Sequence, residues 1–238
     1  GTGTTSPISP CWTKSATSGS YYPYPYSTAA IHGTRGLYFY SYLSTTAGAT
    51  PTYDWATLPL FETDINALRL RFNTKRYTTV SANYKCRLYI GVMSDPYDIT
   101  TFDTVAYIDH SDAAASSIAS EEVYFDQYEG EGSYIAIMSP IPEVGGQYNH
   151  VYVDDIVVDS IPECRRSTNL TAENITINSA DLSWNNTSVV PVSNYTVAYS
   201  TNSDFDPATC TTTEITSATN LTLTGLNSYT RYYWAVKA

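Results

Sequence analysis

Two adjacent carboxylates, Asp154 and Asp155, sit inside the apolar run Val151-Tyr152-Val153-Asp154-Asp155-Ile156-Val157-Val158 and are the residues of this chain best placed to do chemistry. Neighbours on a strand face opposite sides, so one of the two must point inward. Alternation with Val151, Val153 and Val157 makes Asp155 the inward one. A buried, unpaired carboxylate is costly. A structural Ca²⁺ held by Asp155 and Asp154 together with other oxygens would relieve that cost. Hydrogen bonds from a neighbouring loop, or an inward arginine, would relieve it equally. Glu129 and Glu131 read as a solvated acidic turn.

Two other groupings are candidates for ligand contact. In Tyr21-Tyr22-Pro23-Tyr24-Pro25-Tyr26 the prolines hold the chain extended, so Tyr22, Tyr24 and Tyr26 could splay as a stacking platform for sugar rings, or pack as a rim segment. Trp55, in a polar loop after Tyr53 and Asp54, could join that platform. Half of the 12 basic residues fall between 69 and 87: Arg69, Arg71, Lys75, Arg76, Lys85 and Arg87. Alternation puts Arg69 and Arg71 on one outward face, and Lys85 and Arg87 on another. If the two strands pair, they form a positive strip able to grip uronate or sulfate groups. The plainer reading is a set of charges that keeps a sheet face soluble.

Hydrolytic and nucleotide chemistry find little support. His32, His110 and His150 are isolated from one another, and neither a phosphate loop nor a Gly-x-Ser-x-Gly elbow is present. The 12 basic and 23 acidic residues give a net charge of −11. The field is concentrated in the first part, with 8 basic and 18 acidic residues up to Cys164 against 4 and 5 beyond it. Such a field repels phosphate backbones and anionic lipid, so nucleic acid is excluded as a general partner. No apolar run approaches the ~20 residues a membrane-spanning helix needs, so no membrane insertion by this segment is expected.

The elements that must carry these groups are strands. Leu68-Arg69-Leu70-Arg71-Phe72 alternates, as do Tyr89 to Met93, Glu121 to Tyr128 and Tyr134 to Met138, with turn signals between them. Asp98–Phe102 and Asp112–Ser120 are the only helix candidates. Short strands without βαβ spacing indicate a β-sandwich. A boundary falls in the segment 159–169, which contains Pro162 and Cys164 and separates a first domain (1–164) from a second (165–238). Cys11 and Cys164 bracket the first domain and are expected to form a disulfide. Cys86 shares a face with Leu88 and Ile90 and is expected to be a buried free thiol, and Cys210 is expected to have no partner.

The second domain resembles a fibronectin type III domain. Leu182-Ser183-Trp184 stands for its second strand and core tryptophan, Tyr195, Val197 and Tyr199 for its third, and Tyr232, six residues after Leu226, for its tyrosine-corner residue. Ser228 departs from a frequent proline, and Ala238 falls at the sixth strand, so the last strand is missing and is expected from a longer native chain or another segment. The first domain resembles jelly-roll modules of the MAM and cleaved-adhesin type, found in Bacteroidetes surface proteins. The likeness rests on Pro10-Cys11-Trp12, Ile90-Gly91-Val92-Met93-Ser94-Asp95-Pro96, Gly130-Glu131-Gly132-Ser133-Tyr134 and Tyr152-Val153-Asp154-Asp155-Ile156. It implies a mostly non-catalytic module serving adhesion or glycan binding, or accompanying degradative enzymes. It also implies that an Asp of the last motif holds calcium.

The expectation is therefore an all-β chain, a jelly-roll β-sandwich followed by an incomplete fibronectin type III-like β-sandwich. Its expected role is that of a non-catalytic, secreted or cell-surface binding protein that takes a glycan or glycoprotein on the first domain, with the second as spacer. Two alternatives stay open: a structural segment of a larger surface protein, and an accessory domain of a polysaccharide-degrading enzyme.

Overall fold

The computed structural model describes residues 11–16, 23–48, 50, 54–163, 165–188 and 191–238. Among these the chain is all-β, with three single-turn 3₁₀ segments at Ser27–Ala29, Ile65–Ala67 and Ile99–Thr101. No helix is long and apolar enough to cross a membrane. The helix expected over Asp98–Phe102 shrinks to the last of these turns, and Asp112–Ser120 is a turn leading into a strand. The chain divides into two compact units, Gly1–Ser160 and Ile161–Ala238.

The first unit contains β1 (Thr13–Ala16), β2 (Tyr24–Tyr26), β3 (Gly36–Tyr42), β4 (Asp54–Thr57), β5 (Leu68–Arg76) and β6 (Tyr84–Lys85). After these come β7 (Arg87–Met93), β8 (Phe102–Asp109), β9 (Ile118–Tyr124), β10 (Tyr134–Met138) and β11 (Tyr148–Ser160). One sheet runs β1-β4-β10-β7-β8; the other runs β2-β3-β11-β5-β9, with β6 added to β11 in parallel. Period-2 alternation turns Leu68, Leu70 and Phe72 of β5, Phe39 of β3, and Val151 and Val153 of β11 into one inner face. Leu88, Ile90 and Val92 of β7 with Ile135 and Ile137 of β10 supply the other. Each such fully buried side chain contributes roughly 1.5–3 kcal/mol of transfer free energy. Cys86 lies in this core as a small hydrophobe, and burial pushes its thiol pKa up to about 12.

Two polar devices join the sheets. Asn149 receives the Arg87 N–H (2.8 Å) and donates to the Arg87 carbonyl and to Ser139 Oγ (both 2.8 Å), and Ser139 Oγ in turn donates to Ser41 Oγ (3.0 Å). Buried Asp54 of β4 receives the Tyr40 N–H of β3 on both oxygens, at 3.2 and 3.1 Å. The Asp54 carboxylate thus ties β4 of one sheet to β3 of the other.

Trp55 does not join a ligand platform. It is 4% exposed, packs with Met93 and Ala136 on the outer face of the five-stranded sheet, and donates Nε1–H to the Pro96 carbonyl at 3.2 Å. The reason is that residues 54–57 form a strand paired to β1 and β10 instead of a polar loop. Cys11 is an exposed free thiol, and Cys164, the partner expected for it, lies outside the described residues.

The second unit contains β12 (Thr168–Glu173), β13 (Ser179–Asn185), β14 (Tyr195–Ser200), β15 (Thr213–Thr216), β16 (Asn220–Thr224) and β17 (Tyr233–Lys237). They form two three-stranded sheets, β12-β13-β16 and β15-β14-β17, around Leu182, Trp184, Tyr195, Val197 and Leu223. Tyr232 Oη accepts the Asn227 N–H at 3.0 Å, a tyrosine corner closed on backbone five residues upstream. Among the described residues β17 pairs only with β14.

Candidate functional site

Outer faces of antiparallel sheets are ordinarily polar. On the six-stranded sheet, alternation sends Tyr38, Tyr40 and Tyr42 of β3 outward beside Tyr148, His150 and Tyr152 of β11, because the register pairs Tyr38 with Tyr152, Tyr40 with His150 and Tyr42 with Tyr148. Tyr24 and Tyr26 of β2 continue this face past β3, and Tyr77 and Tyr84 continue it past β11. Nine tyrosines and one histidine thus form one continuous aromatic layer.

The rings follow one another in near-parallel order. Tyr42 stacks on Tyr148 (4.6 Å, 25°), Tyr148 on Tyr84 (5.4 Å, 17°), and Tyr84 on Tyr77 (5.8 Å, 8°). Tyr77 stacks on His150 (4.4 Å, 20°), His150 on Tyr38 (5.8 Å, 14°), and Tyr38 on Tyr26 (5.6 Å, 28°). Strands lie ~4.8 Å apart, so parallel rings at such separations stand on the sheet instead of lying flat on it. This differs from a splayed platform: Tyr26 stacks on Tyr38 and Tyr24 meets both rings edge-on, while Tyr22 lies outside the described residues.

At the centre Tyr152 is 1% and His150 6% exposed. Tyr38 Oη and His150 Nδ1 are hydrogen-bonded, and His150 Nε2 is buried with no hydrogen-bond partner. Burial lowers the His150 pKa to about 4, so the ring is neutral near neutral pH, and burial raises the Tyr38 phenol above its ordinary range. The stack therefore carries no charge of its own. Lys75 borders it, with its Nζ 5.9 Å from the Tyr152 centroid and donating to the carbonyls of Thr28 and Ala30.

Beyond Lys75 the same face becomes charged and self-compensated. Arg69 and Arg71 do point outward, but both bind Asp159, through Nε–Oδ1 and Nη2–Oδ2 contacts of 2.7 Å each, and Arg69 also pairs with Glu122. The Arg69 hydrogen bond, foremost, holds the Asp159 carboxyl below its ordinary pKa. These arginines are thus not a free positive strip. Neither Lys85 nor Arg87 extends it: Lys85 is on β6, which pairs β11 and not β5, and Arg87 is on β7 in the other sheet, where it binds Asp109 and Glu143.

Asp155 points outward, and the cause is a β-bulge. The β11–β5 register shifts between Asp154 and Val157, with Asp155 at φ +55°. One extra residue reverses the faces beyond it, so Ile156 and Val158 pack on the core while Val157 is exposed. Asp155 Oδ2 meets His32 Nδ1 at 2.6 Å and accepts Asn73 Nδ2–H at 2.8 Å. Asp154 Oδ2 accepts the N–H groups of Ile31 (2.8 Å) and His32 (3.1 Å), and its Oδ1 accepts that of Asp155. Ile31 and His32 supply hydrogen bonds from a neighbouring loop, one of the ways of satisfying the pair, and Asn73 of β5 adds another. N–H groups occupy three of the four carboxylate oxygens of the pair. No cluster of three or more His, Cys, Asp or Glu residues suited to a metal occurs among the described residues.

Three solved structures give the range of similar folds. The K1 cleaved adhesin domain of Lys-gingipain from Porphyromonas gingivalis W83 is 11% identical and aligns over 65% of this chain and 94% of its own, with a TM-score of 0.46. A carbohydrate-binding module of the β-sandwich superfamily is 11% identical, covering 63% of this chain and 57% of its own (TM-score 0.43). A β-1,2-glucanase from Parabacteroides distasonis is 10% identical, covering 95% of this chain and 34% of its own (TM-score 0.40). No curated protein matches the sequence. Residues 163–238 match the family model of the fibronectin type III domain, and the tyrosine corner and the paired three-stranded sheets above lie within that span.

Proposed function

We propose that the first unit is a non-catalytic binding module that takes a glycan on the aromatic face of its six-stranded sheet, in a secreted or cell-surface protein, with the fibronectin type III unit as spacer. The observation that carries this reading is the unbroken stack from Tyr42 to Tyr26 on a face that the core does not need. Upright phenols offer donors and acceptors at strand spacing to ring hydroxyls, and Tyr26, 37% exposed at one end, offers an open ring. Neutrality of the stack suits uncharged sugars. The net charge of −11 disfavours polyanionic ones.

The burial of Tyr152 and His150 favours a second reading, in which the stack is a structural outer layer of a spacer protein. Binding of the full chain to an immobilised glycan panel separates the two. The binding reading expects at least one glycan to be retained, and retention to fall about tenfold or more in Tyr26→Ala and Tyr84→Ala. Absence of retention by the folded chain, or retention unaltered in both variants, supports the structural layer.

A further inference from the structure

The opposite face of the same unit carries a cleft of about 480 Å³, within the ~300–1,000 Å³ of small-ligand sites. Its floor is built by β7 and β8. The register places Tyr89 directly opposite Tyr107, with ring centroids 5.0 Å apart. A bulge in the same ladder lies between Ile90 and Gly91, and Phe102 folds over Gly91, where a Cβ would meet its ring at 2.6 Å. Phe102 and Ile99 thereby wall one side, and the Pro140–Glu143 segment walls the other.

One end of the cleft is polar and fixed. Arg87 donates Nε–H to Asp109 Oδ2 (2.9 Å) and Nη1–H to Glu143 Oε1 (3.1 Å), and Tyr107 Oη donates to Asp109 Oδ2 (3.2 Å). The backbone of Arg87 is itself clamped on both sides by Asn149. Its guanidinium is held by Asp109 and Glu143, so N–H donors and carboxylate acceptors stand side by side at this end of the cleft. The Tyr107 ring, 48% exposed, lies next to this fork.

A half-exposed phenol ring beside a carboxylate–guanidinium–carboxylate fork fits a ring that has C–H groups on its faces and vicinal hydroxyls on its edge. One cation against two carboxylates leaves the fork net negative, which selects against uronates and sulfated sugars. We propose that this cleft is a second saccharide site, distinct from the aromatic stack, that binds a neutral pyranose unit with Tyr107 stacking on it and Arg87 and Glu143 bonding its hydroxyls.

The test is an NMR titration of the full labelled chain with methyl glucoside, methyl galactoside, methyl mannoside and methyl glucuronide, following the ring signals of Tyr89 and Tyr107 separately from those of Tyr26 and Tyr84. The expected result is saturable shifts at Tyr89 and Tyr107 with at least one neutral glycoside and weaker binding of the glucuronide. Affinity should fall about tenfold or more in Tyr107→Ala and also fall in Glu143→Gln, and it should be unchanged in Tyr26→Ala. Glu143 has a 76% exposed side chain, so that variant removes its charge and one of its two acceptor oxygens without disturbing the fold. Absence of shifts at Tyr89 and Tyr107 with every neutral glycoside would overturn the proposal, as would tighter binding of the glucuronide or full affinity in Tyr107→Ala. Shifts confined to Tyr26 and Tyr84 would overturn the cleft while leaving the aromatic face intact; shifts confined to Tyr89 and Tyr107 would do the reverse.

Discussion

Replacing Asp54 tests how the two sheets of the first unit are joined. The carboxyl is fully buried, and that burial raises its pKa well above the ordinary 3.8, against the opposing pull of the Tyr40 N–H. The folded state therefore favours the protonated form. The stability Asp54 confers is fully present below 3.8 and is lost as pH rises through the folded-state value, by up to about 1.4 kcal/mol per pH unit. Asn keeps an acceptor for the Tyr40 N–H and cannot ionise. Asp54→Asn should accordingly gain on the wild type as pH rises from 3.8 toward neutrality. Asp54→Ala removes both carboxyl acceptors of the Tyr40 N–H, so it should lie about 0.5–1.5 kcal/mol, the net worth of a hydrogen bond, below Asp54→Asn at every pH. Urea unfolding of the first unit across that pH range measures both differences. Parallel pH profiles for wild type and Asp54→Asn would refute the desolvation argument. Equal stabilities of the Ala and Asn variants would refute the role given to the Tyr40 contact.

Three further outcomes are expected. Asn149→Ala removes the clamp on both backbone groups of Arg87 and the link to Ser139, and should destabilise the first unit by about 2–3 kcal/mol in the same unfolding assay. His32 should titrate above 6.5 by NMR, chiefly through its hydrogen bond to Asp155, and should fall back toward 6.5 in Asp155→Asn. What this pair adds to stability is present below 6.5 and fades as pH rises through the raised His32 value; it is lost again in acid, as pH falls through the lowered Asp155 value. A thiol reagent should label Cys11 rapidly in the native protein and Cys86 only on unfolding, since the latter is 2% exposed with its pKa at about 12.

Local alternation made most strands legible, and in the second unit the spacing of Trp184, Leu226 and Tyr232 was enough to indicate the family. What sequence could not supply was register between distant strands. Tyr38-Tyr40-Tyr42 and Tyr148-His150-Tyr152 each alternate, which is a period-2 signal for an outward aromatic row. Each row alone is ordinary β-propensity, and only their pairing across more than a hundred residues makes a stack. Asp155 shows the converse failure. A single extra residue in β11 reversed the faces, so strict alternation assigned the carboxylate to the core. The same long strand carries Asp159 to the two arginines that alternation had left as an open positive strip. Trp55 was misplaced because Asp54 looked like a loop residue; its buried carboxyl instead accepts the Tyr40 N–H of β3, a partner that local sequence does not reveal.

The most direct test of the aromatic face is the affinity of the full chain for the best-retained glycan of the panel, measured by titration calorimetry in chelator for wild type, Tyr26→Ala, Tyr84→Ala and Tyr107→Ala. The account predicts binding that survives chelation, weakens about tenfold or more in the first two variants and persists in Tyr107→Ala. Binding that needs calcium, or that is indifferent to Tyr26 and Tyr84, would contradict it.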